Sequence, residues 1–344
     1  MKARFAVVAA AAIAICFFAA RRSSFAARAE NLRLENLRLD NLEDAIPAPE
    51  IIGEGIISTE GDELGGGVTP DGQTLIFEKS AAPHYLYIMC ESRFVDGKWS
   101  RPEILPISGQ YRDTDPVLAP DGASILFASD RPVGGKDLHR WSIWRARRDG
   151  SGWKEPEPVP GAVNSEGSQV FASIAANGNI YFASSRKTGD YDVFRAKLVN
   201  GKYEEAEDLG ANFNGPGIDT FEATIAPDES YLLLGSFGRP GGLGSSDLWV
   251  SFRDGEKWSK PVNLGPKING RARDYSPRVS ADGEWLYFTS EKGFLDQNAG
   301  QSYTYQSLTD NLKSVANGMG NLYRVPLKPV LAAARAKLAE SPAQ

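Results

Sequence analysis

The sequence predicts an all-β protein, a five-bladed β-propeller made of four-stranded blades. The main evidence is a turn dipeptide followed by a short β-prone run, a unit that occurs five times. The turns begin at residues 71, 121, 177, 228 and 282, so successive copies are separated by 50, 56, 51 and 54 residues. Asp-Gly or Asn-Gly beside β-prone runs is a strong hairpin signal. Repeats of about 40–50 residues with several strands each are typical of propeller blades.

Each copy continues through the same order of elements. Strand a leads into the Asp-Gly turn, strand b follows it, and strand c ends at a second turn such as Asp96-Gly97-Lys98-Trp99. A Pro-containing stretch then forms strand d, as at 101–105. The short a–b and c–d turns share one face of the propeller, which we call the turn face. The variable b–c loops and d–a connections share the opposite face, the variable face, where functional loops are expected.

The ends of the repeat region predict how the ring closes. Residues 51–58 precede the first copy and have the character of a single d strand, whereas the fifth copy ends with a c strand at 321–325. The N-terminal strand is therefore expected to complete the last blade, which removes both free sheet edges. The propeller is predicted to span 46–328, and a helical tail is predicted at 329–344.

Residues 1–29 have the pattern of a secretory signal peptide: a basic start, an apolar run of 16 residues, and small residues before a cleavage site at Glu30. The apolar run is shorter than the ~20 residues of a membrane-spanning helix. We therefore expect cleavage near Ala29 and a periplasmic or secreted protein. Lipidation at Cys16 and an uncleaved membrane anchor ending at Arg21-Arg22 are the alternatives.

Charge and composition disfavour several functional classes. The chain of 344 residues carries a net charge of −6, which becomes −11 without residues 1–29, whereas nucleic-acid binders are typically basic. His84 and His139 lack zinc-ligand spacing, so we expect no metal site and no cofactor beyond a cation in the channel. Cys90 is the one cysteine after the signal, so no internal disulfide is expected in the exported chain. Residues 30–45 are predicted to be a linker because their leucine spacing fits neither helix nor strand.

Two copies carry a motif of a known repeat family. Residues 119–131, Ala-Pro-Asp-Gly-Ala-Ser-Ile-Leu-Phe-Ala-Ser-Asp-Arg, and 280–290, Ser-Ala-Asp-Gly-Glu-Trp-Leu-Tyr-Phe-Thr-Ser, resemble the PD40 (WD40-like) repeats of the TolB-like propellers. The resemblance covers about residues 50–327 and implies the fold. That superfamily contains binding scaffolds, envelope-complex components and propellers attached to hydrolases. TolB also has an extra N-terminal domain, for which residues 30–45 are too short.

Carboxylates recur where strand a begins on the variable face. Because strand a is innermost, we expect them to surround the mouth of the central channel. These acidic residues are Glu63, Asp113, Asp115, Glu222 and Asp274. The b–c loops add the basic residues Arg131, Arg186 and Arg239, with Lys292 at the same place in the fifth copy. The set is interpreted either as structural ion pairs or as a polar funnel that binds a cation or a hydroxyl-rich ligand.

Two b–c loops are enlarged, at 132–141 and at 293–320. The second contains Tyr303, Tyr305 and several amides, a composition that suits sugar or peptide binding but also occurs in idle surface insertions. Long loops are usually either functional or disordered, and the sequence does not choose between these.

Three functions fit these features. The first is an exported, monomeric binding or scaffolding propeller for a protein or glycan partner in the cell envelope, without catalytic residues. The second is a glycoside hydrolase-like enzyme that uses two of the channel-mouth carboxylates. The third is a metal-dependent lyase resembling the oligogalacturonate lyases, which the isolated histidines disfavour. No Gly-x-Ser-x-Gly elbow or other complete catalytic constellation is present in the sequence, so the first function is predicted.

Overall fold

The computed structural model describes residues 42–81, 85–150, 152–187, 189–294, 300 and 302–340. The chain divides into two units, 1–45 and 46–344. In the first unit only a turn at 42–45 is described, so the predicted signal peptide, Cys16 and most of the linker lie outside the described residues, as does His84. The second unit contains the propeller.

The strands follow the predicted order in every blade. The N-terminal strand is β1 (Glu50–Ile51). Blade 1 contains β2 (Asp62–Val68), β3 (Thr74–Ala81), β4 (Leu86–Val95), the turn strand β5 (Lys98–Trp99) and β6 (Glu103–Ile104). Blade 2 contains β7 (Asp113–Leu118), β8 (Ser124–Ser129), β9 (Ser142–Asp149), β10 (Gly152–Trp153) and β11 (Glu157–Pro158). Blade 3 contains β12 (Gln169–Ile174), β13 (Ile180–Ser184), β14 (Asp192–Ala196), β15 (Leu198–Val199), β16 (Lys202–Tyr203) and β17 (Glu207–Asp208).

The last two blades repeat this plan. Blade 4 contains β18 (Asp219–Ile225), β19 (Tyr231–Phe237), β20 (Ser246–Asp254), β21 (Lys257–Trp258) and β22 (Val262–Asn263). Blade 5 contains β23 (Asp274–Val279), β24 (Trp285–Ser290) and β25 (Asn321–Pro326). Helix α1 (Tyr305–Leu312) lies in the loop between β24 and β25, and helix α2 (Leu327–Glu340) follows β25. All strand pairs inside the blades are antiparallel.

The ring closes as the sequence predicts. Strand β1 pairs with β25 and becomes the outer strand of blade 5. The innermost strands β2, β7, β12, β18 and β23 contact one another in that order, and β23 contacts β2. The chain is therefore a five-bladed β-propeller with a central channel lined by its a strands. The d strand is shorter than expected, because only Glu50 and Ile51 pair and residues 53–58 turn inward.

The hydrophobic core lies between neighbouring blades. Four clusters of buried side chains fill the junctions between blades 1 and 2, 2 and 3, 3 and 4, and 5 and 1. The repeated tryptophans after the c–d turns, Trp99, Trp153 and Trp258, each pack against one of these clusters. Blade-to-blade burial of this kind explains why one large apolar side chain recurs per repeat.

The five a–b turns share one hydrogen-bond arrangement. In each, the side-chain oxygen of the first turn residue accepts a hydrogen bond of 2.9–3.0 Å from the backbone N–H two residues later. The second turn residue is a glycine with positive φ in copies 1, 2, 3 and 5. In copy 4 it is Glu229, with φ 58°. Asx side chains and left-handed glycines favour such turns. The Glu229 carboxylate accepts hydrogen bonds from Asn179, Tyr181 and Arg253, which offsets the cost of its backbone conformation.

Helix α2 covers part of the propeller next to β22 and β24. Its buried residues Leu327, Val330, Ala333 and Ala334 stand at positions i, i+3, i+6 and i+7, which lie on one apolar helix face. Among the described residues, no helix is both long enough and apolar enough to cross a membrane.

Candidate functional site

The predicted acidic residues fall into two layers of the propeller. Glu63, Asp113 and Asp274 lie at the start of their a strands and are fully buried. Asp115 and Glu222 are two positions further along the equivalent strands, closer to the channel. The layers have different partners, so they are described separately.

In the outer layer, each acid is paired with a basic residue of its own blade. Asp113 accepts a hydrogen bond of 2.7 Å from Arg131 and one of 2.8 Å from Ser108. The Nζ atom of Lys292 is 3.9 Å from the Asp274 carboxylate, and Lys79 forms an ion pair with Glu63. Burial raises the pKa of Asp113 despite the Arg131 charge, and it raises the pKa of Asp274 to about 6.

The predicted basic residues also bind the chain that leads into strand a. Arg131 donates to the carbonyl of residue 107, Arg186 to those of 162 and 163, Arg239 to those of 212 and 213, and Lys292 to that of 268, at 2.7–3.1 Å. The same cations lie 4.9–5.9 Å from aromatic ring centroids of their own blade. The outer layer therefore fixes the d–a connections, and its members do not line the channel-mouth cavity described below.

In the inner layer, carboxylates link neighbouring blades. Glu78 of β3 accepts a hydrogen bond of 2.8 Å from the backbone N–H of Asp115, and Asp115 accepts one of 3.1 Å from the N–H of Phe171. Glu222 accepts one of 2.6 Å from the N–H of Ser276. The three donor residues have left-handed backbones, with φ of 57°, 49° and 52°. Each carboxylate thus satisfies the amide of a strained residue in the next blade.

Arg278 crosses the channel beneath these carboxylates. It belongs to β23 of blade 5, but its Nε donates a hydrogen bond of 3.1 Å to the carbonyl of Pro116 in blade 2. Its guanidinium carbon lies 3.9 Å from the ring centroid of Phe171 in blade 3. Gly67 of blade 1 lies beside the crossing side chain, since a Cβ at this glycine would be 3.8 Å from Arg278 Cγ, an ordinary van der Waals contact. Arg278 Nη2 is buried and has no hydrogen-bond partner among the described residues.

The inner layer holds three carboxyl groups close to one guanidinium. Burial raises the pKa of Glu222 to about 8, against the opposing effect of the Arg278 charge. Burial and the neighbouring Asp115 raise the pKa of Glu78. Burial also raises the pKa of Asp115, and the Arg278 charge limits that rise. Burial therefore favours the neutral form of the two glutamates, whereas the Arg278 charge favours the ionised form of Asp115.

A cavity of about 180 Å³ opens above these groups on the variable face. Glu78, Asp115 and Glu222 line it together with aromatic side chains from all five blades: Tyr87, Trp141, Tyr191, Phe221 and Tyr275. The rings are held by packing, since Tyr87 contacts Trp141 edge-on at 6.0 Å and Phe221 stacks on Phe237 at 4.9 Å. Arg112 lies 4.9 Å from the Trp141 centroid and Arg273 lies 4.5 Å from that of Tyr275.

Sequence reasoning found Asp115 and Glu222 but missed Glu78, Arg278 and the aromatic residues. Alignment of the copies contains the missing signal. Glu78 occupies a position of strand b where the other copies have Ala128, Ala183, Gly235 and Thr289. Arg278 occupies a position of strand a where the other copies have Gly67, Val117, Ser173 and Thr224. A charged residue at a position that is small or apolar in the other copies marks a role that the repeat itself does not require.

Of the two enlarged loops, the one at 132–141 contributes to the lining of this cavity. The loop at 132–141 contains the bridge between Val133 and Lys136 and ends at Trp141, which reaches the cavity. His139 is exposed, and its ring is 3.2 Å from Asp137. In the loop at 293–320, Thr304 caps α1 and Tyr305 is 87% exposed. Within the described residues, no three His, Cys, Asp or Glu side chains are grouped closely enough to hold a metal ion, and the channel cation stays a prediction.

Fold and site together define a β-propeller with one aromatic-lined cavity at the channel mouth, and solved structures of similar architecture are known. The chain is similar to putative TolB from Agrobacterium tumefaciens, with 16% identity over 67% of this chain and 70% of that one, and a TM-score of 0.45. It is similar to TolB from Acinetobacter baumannii, with 15% identity, 77% and 54% coverage, and a TM-score of 0.45. The chain thus spans about half of the Acinetobacter protein.

A third similar structure is the catalytic domain of Coprinopsis cinerea GH62 alpha-L-arabinofuranosidase, with 12% identity over 81% of this chain and 96% of that one, and a TM-score of 0.46. No protein-family profile matches the chain. No curated protein matches it either. The TolB-like propellers that the repeats resemble are therefore represented among the similar solved structures. At these identities the likeness concerns the fold alone, and the site is interpreted from its own residues.

Proposed function

We propose that this propeller is a binding module that engages a protein or glycan partner through its variable face. The observation that carries the proposal is the cavity at the channel mouth, because every blade contributes an aromatic side chain to it. Concave sites with aromatic walls and a few placed polar groups are the usual form of ligand sites. The enlarged loops at 132–141 and 293–320 extend the same face and supply further contact surface.

The proposed setting is the cell envelope, with the protein acting as a monomer. The signal-peptide pattern of residues 1–29 supports export. N-terminal sequencing of the protein from its native host tests this point: a mature chain that begins at Glu30 is expected, and a retained Met1 in the membrane fraction would contradict it.

The binding proposal is tested with a pair of tryptophans in one blade. Trp141 lies at the cavity under Arg112, whereas Trp153 lies in the c–d turn under Arg148, 3.9 Å from its ring centroid. Both are half-buried, so Trp141→Ala and Trp153→Ala remove similar packing on opposite faces. A partner isolated from envelope extract with the wild-type protein is then titrated against each purified variant. Trp141→Ala is expected to weaken binding at least tenfold and Trp153→Ala less than threefold. Equal affinities for the two variants would refute the variable-face proposal.

One observation favours an enzyme of the glycoside hydrolase type as a second candidate. Asp115 and Glu222 share the cavity, and burial raises the pKa of Glu222 to about 8, whereas the Arg278 charge limits the rise at Asp115. A protonated general acid beside an ionised carboxylate is the arrangement that glycoside hydrolysis requires. Against it, both side chains already accept hydrogen bonds from backbone amides of the next blade. Turnover of chromogenic glycosides by the wild type that Glu222→Gln abolishes would establish the enzyme. The binding proposal predicts no turnover by either protein.

A further inference from the structure

We propose that the channel-mouth cavity binds a single neutral, hydroxyl-bearing ring, such as one sugar unit of a glycan. The inference rests on the proposed function and narrows it to a ligand class. It follows from three properties of the cavity: its size, its charge balance, and the hydrogen-bonding groups that line it.

The size restricts the ligand to one small ring. The cavity volume is about 180 Å³, whereas sites for drug-sized ligands begin near roughly 300 Å³. A longer chain therefore places one unit in the cavity and its remaining units outside it. Aromatic side chains from five directions suit the apolar faces of such a ring.

The charge balance favours a neutral ligand. The charged and titratable groups facing Glu222 and Glu78 are Asp115 and Arg278 in the channel, with Arg273 and the phenols of Tyr87, Tyr191 and Tyr275 at the cavity. Arg278 balances Asp115, Arg273 is paired with Glu291 at 3.4 Å, and burial favours the neutral form of the two glutamates by raising their pKa. A cationic ligand finds no uncompensated carboxylate there, and an anionic ligand finds no uncompensated guanidinium.

The hydrogen-bonding groups favour hydroxyls in particular. A protonated carboxyl both donates and accepts, and so does a hydroxyl. Glu78 and Glu222 line the cavity, and so do the phenols of Tyr87, Tyr191 and Tyr275. A phenol likewise both donates and accepts. Hydroxyl groups on a ligand match these groups without bringing a charge.

The experiment is a calorimetric titration of the full chain at pH 7 with D-glucose, L-arabinose, D-glucosamine and D-glucuronate. We expect saturable millimolar binding of at least one neutral sugar, and binding at least tenfold weaker for its charged analogues. Tyr191→Ala is expected to weaken sugar binding at least tenfold, and Trp153→Ala on the turn face less than threefold. Preference for the amine or the carboxylate, or no saturable binding of either neutral sugar, would overturn the inference.

The outcomes are separable from those of the proposed function: if sugars fail to bind while Trp141→Ala still weakens the isolated partner, the ligand class is wrong and the binding face stands.

Discussion

At the scale of single residues, Glu222 illustrates how one carboxyl group serves both the ring and the cavity. Its oxygens accept hydrogen bonds from the backbone N–H and the hydroxyl of Ser276 in the next blade. Gly235 on the neighbouring strand leaves the required space, since a Cβ there would lie 1.9 Å from Glu222 Oε2. The same carboxyl lines the channel mouth. Glu222 therefore contributes both to the contact between blades 4 and 5 and to the lining of the cavity.

The buried position of Glu222 predicts a loss of stability as the pH rises. Its pKa is about 8 in the folded protein and near 4.5 when unfolded, so between these values the native state holds a proton that the unfolded state has lost. The free energy of unfolding then falls by up to about 1.4 kcal/mol per pH unit from this one group. Urea unfolding from pH 4.5 to 8.5 is expected to show a flatter pH dependence for Glu222→Gln than for the wild type. The exposed control Glu103→Gln is expected to follow the wild type, and identical slopes for all three proteins would contradict the prediction.

The buried ion pairs of the outer layer are expected to contribute to stability and not to ligand binding, because they do not line the cavity. Arg131→Ala leaves the Asp113 carboxylate buried without its partner, which costs about 3–5 kcal/mol. Arg131→Lys is expected to recover most of this loss, since blade 5 uses Lys292 at the same place. The matched control is Lys187→Ala, which removes a pair with Asp208 whose lysine is 59% exposed. Its loss of stability is expected to be much smaller, because exposed ion pairs contribute little. Equal losses for Arg131→Ala and Lys187→Ala in urea unfolding would refute a buried structural role.

At the scale of elements, the sequence predicts the features that recur in every blade, but it does not predict the features that occur in a single blade. Turns, strand order and ring closure were predictable because each is marked in every copy or at both ends of the repeat region. The same regularity explains why Glu63, Asp113 and Asp274 looked like channel residues: their place at the start of strand a is shared, but depth in the channel depends on the bulge that follows. Arg278 crosses the channel from blade 5 to reach its partner in blade 2, which no local pattern reveals.

The N-terminal segment offers a direct test of ring closure. Ile57 is 1% exposed and belongs to the cluster between blades 5 and 1, whereas the adjacent Ile56 is 43% exposed. Ile57→Ala is expected to lower the free energy of unfolding by about 2–5 kcal/mol, and Ile56→Ala by no more than about 0.5 kcal/mol. Denaturant unfolding of the two variants measures both values. Small and equal losses would mean that residues 52–58 are not part of the propeller core.

At the scale of the whole molecule, the two faces of the ring differ in structure. The turn face carries uniform hairpins whose hydrogen bonds repeat five times, and the variable face carries every enlarged loop and the aromatic-lined cavity. Arg278 and the inner carboxylates lie between the two faces and tie blades 1 to 5 together across the channel. The proposed partner therefore binds at the variable face, and the channel mouth lies at the centre of its contact surface.

Hydroxyl-radical footprinting of the full chain, with and without its isolated partner, tests this claim most directly. Aromatic side chains are the reporters, and the two faces provide matched sets. We expect bound partner to protect Tyr87, Trp141 and Tyr191 at the channel mouth severalfold, and to leave Trp99, Trp153 and Trp258 beside the c–d turns unchanged. Protection of the three tryptophans, with the channel-mouth residues as reactive as in the free protein, would contradict the account.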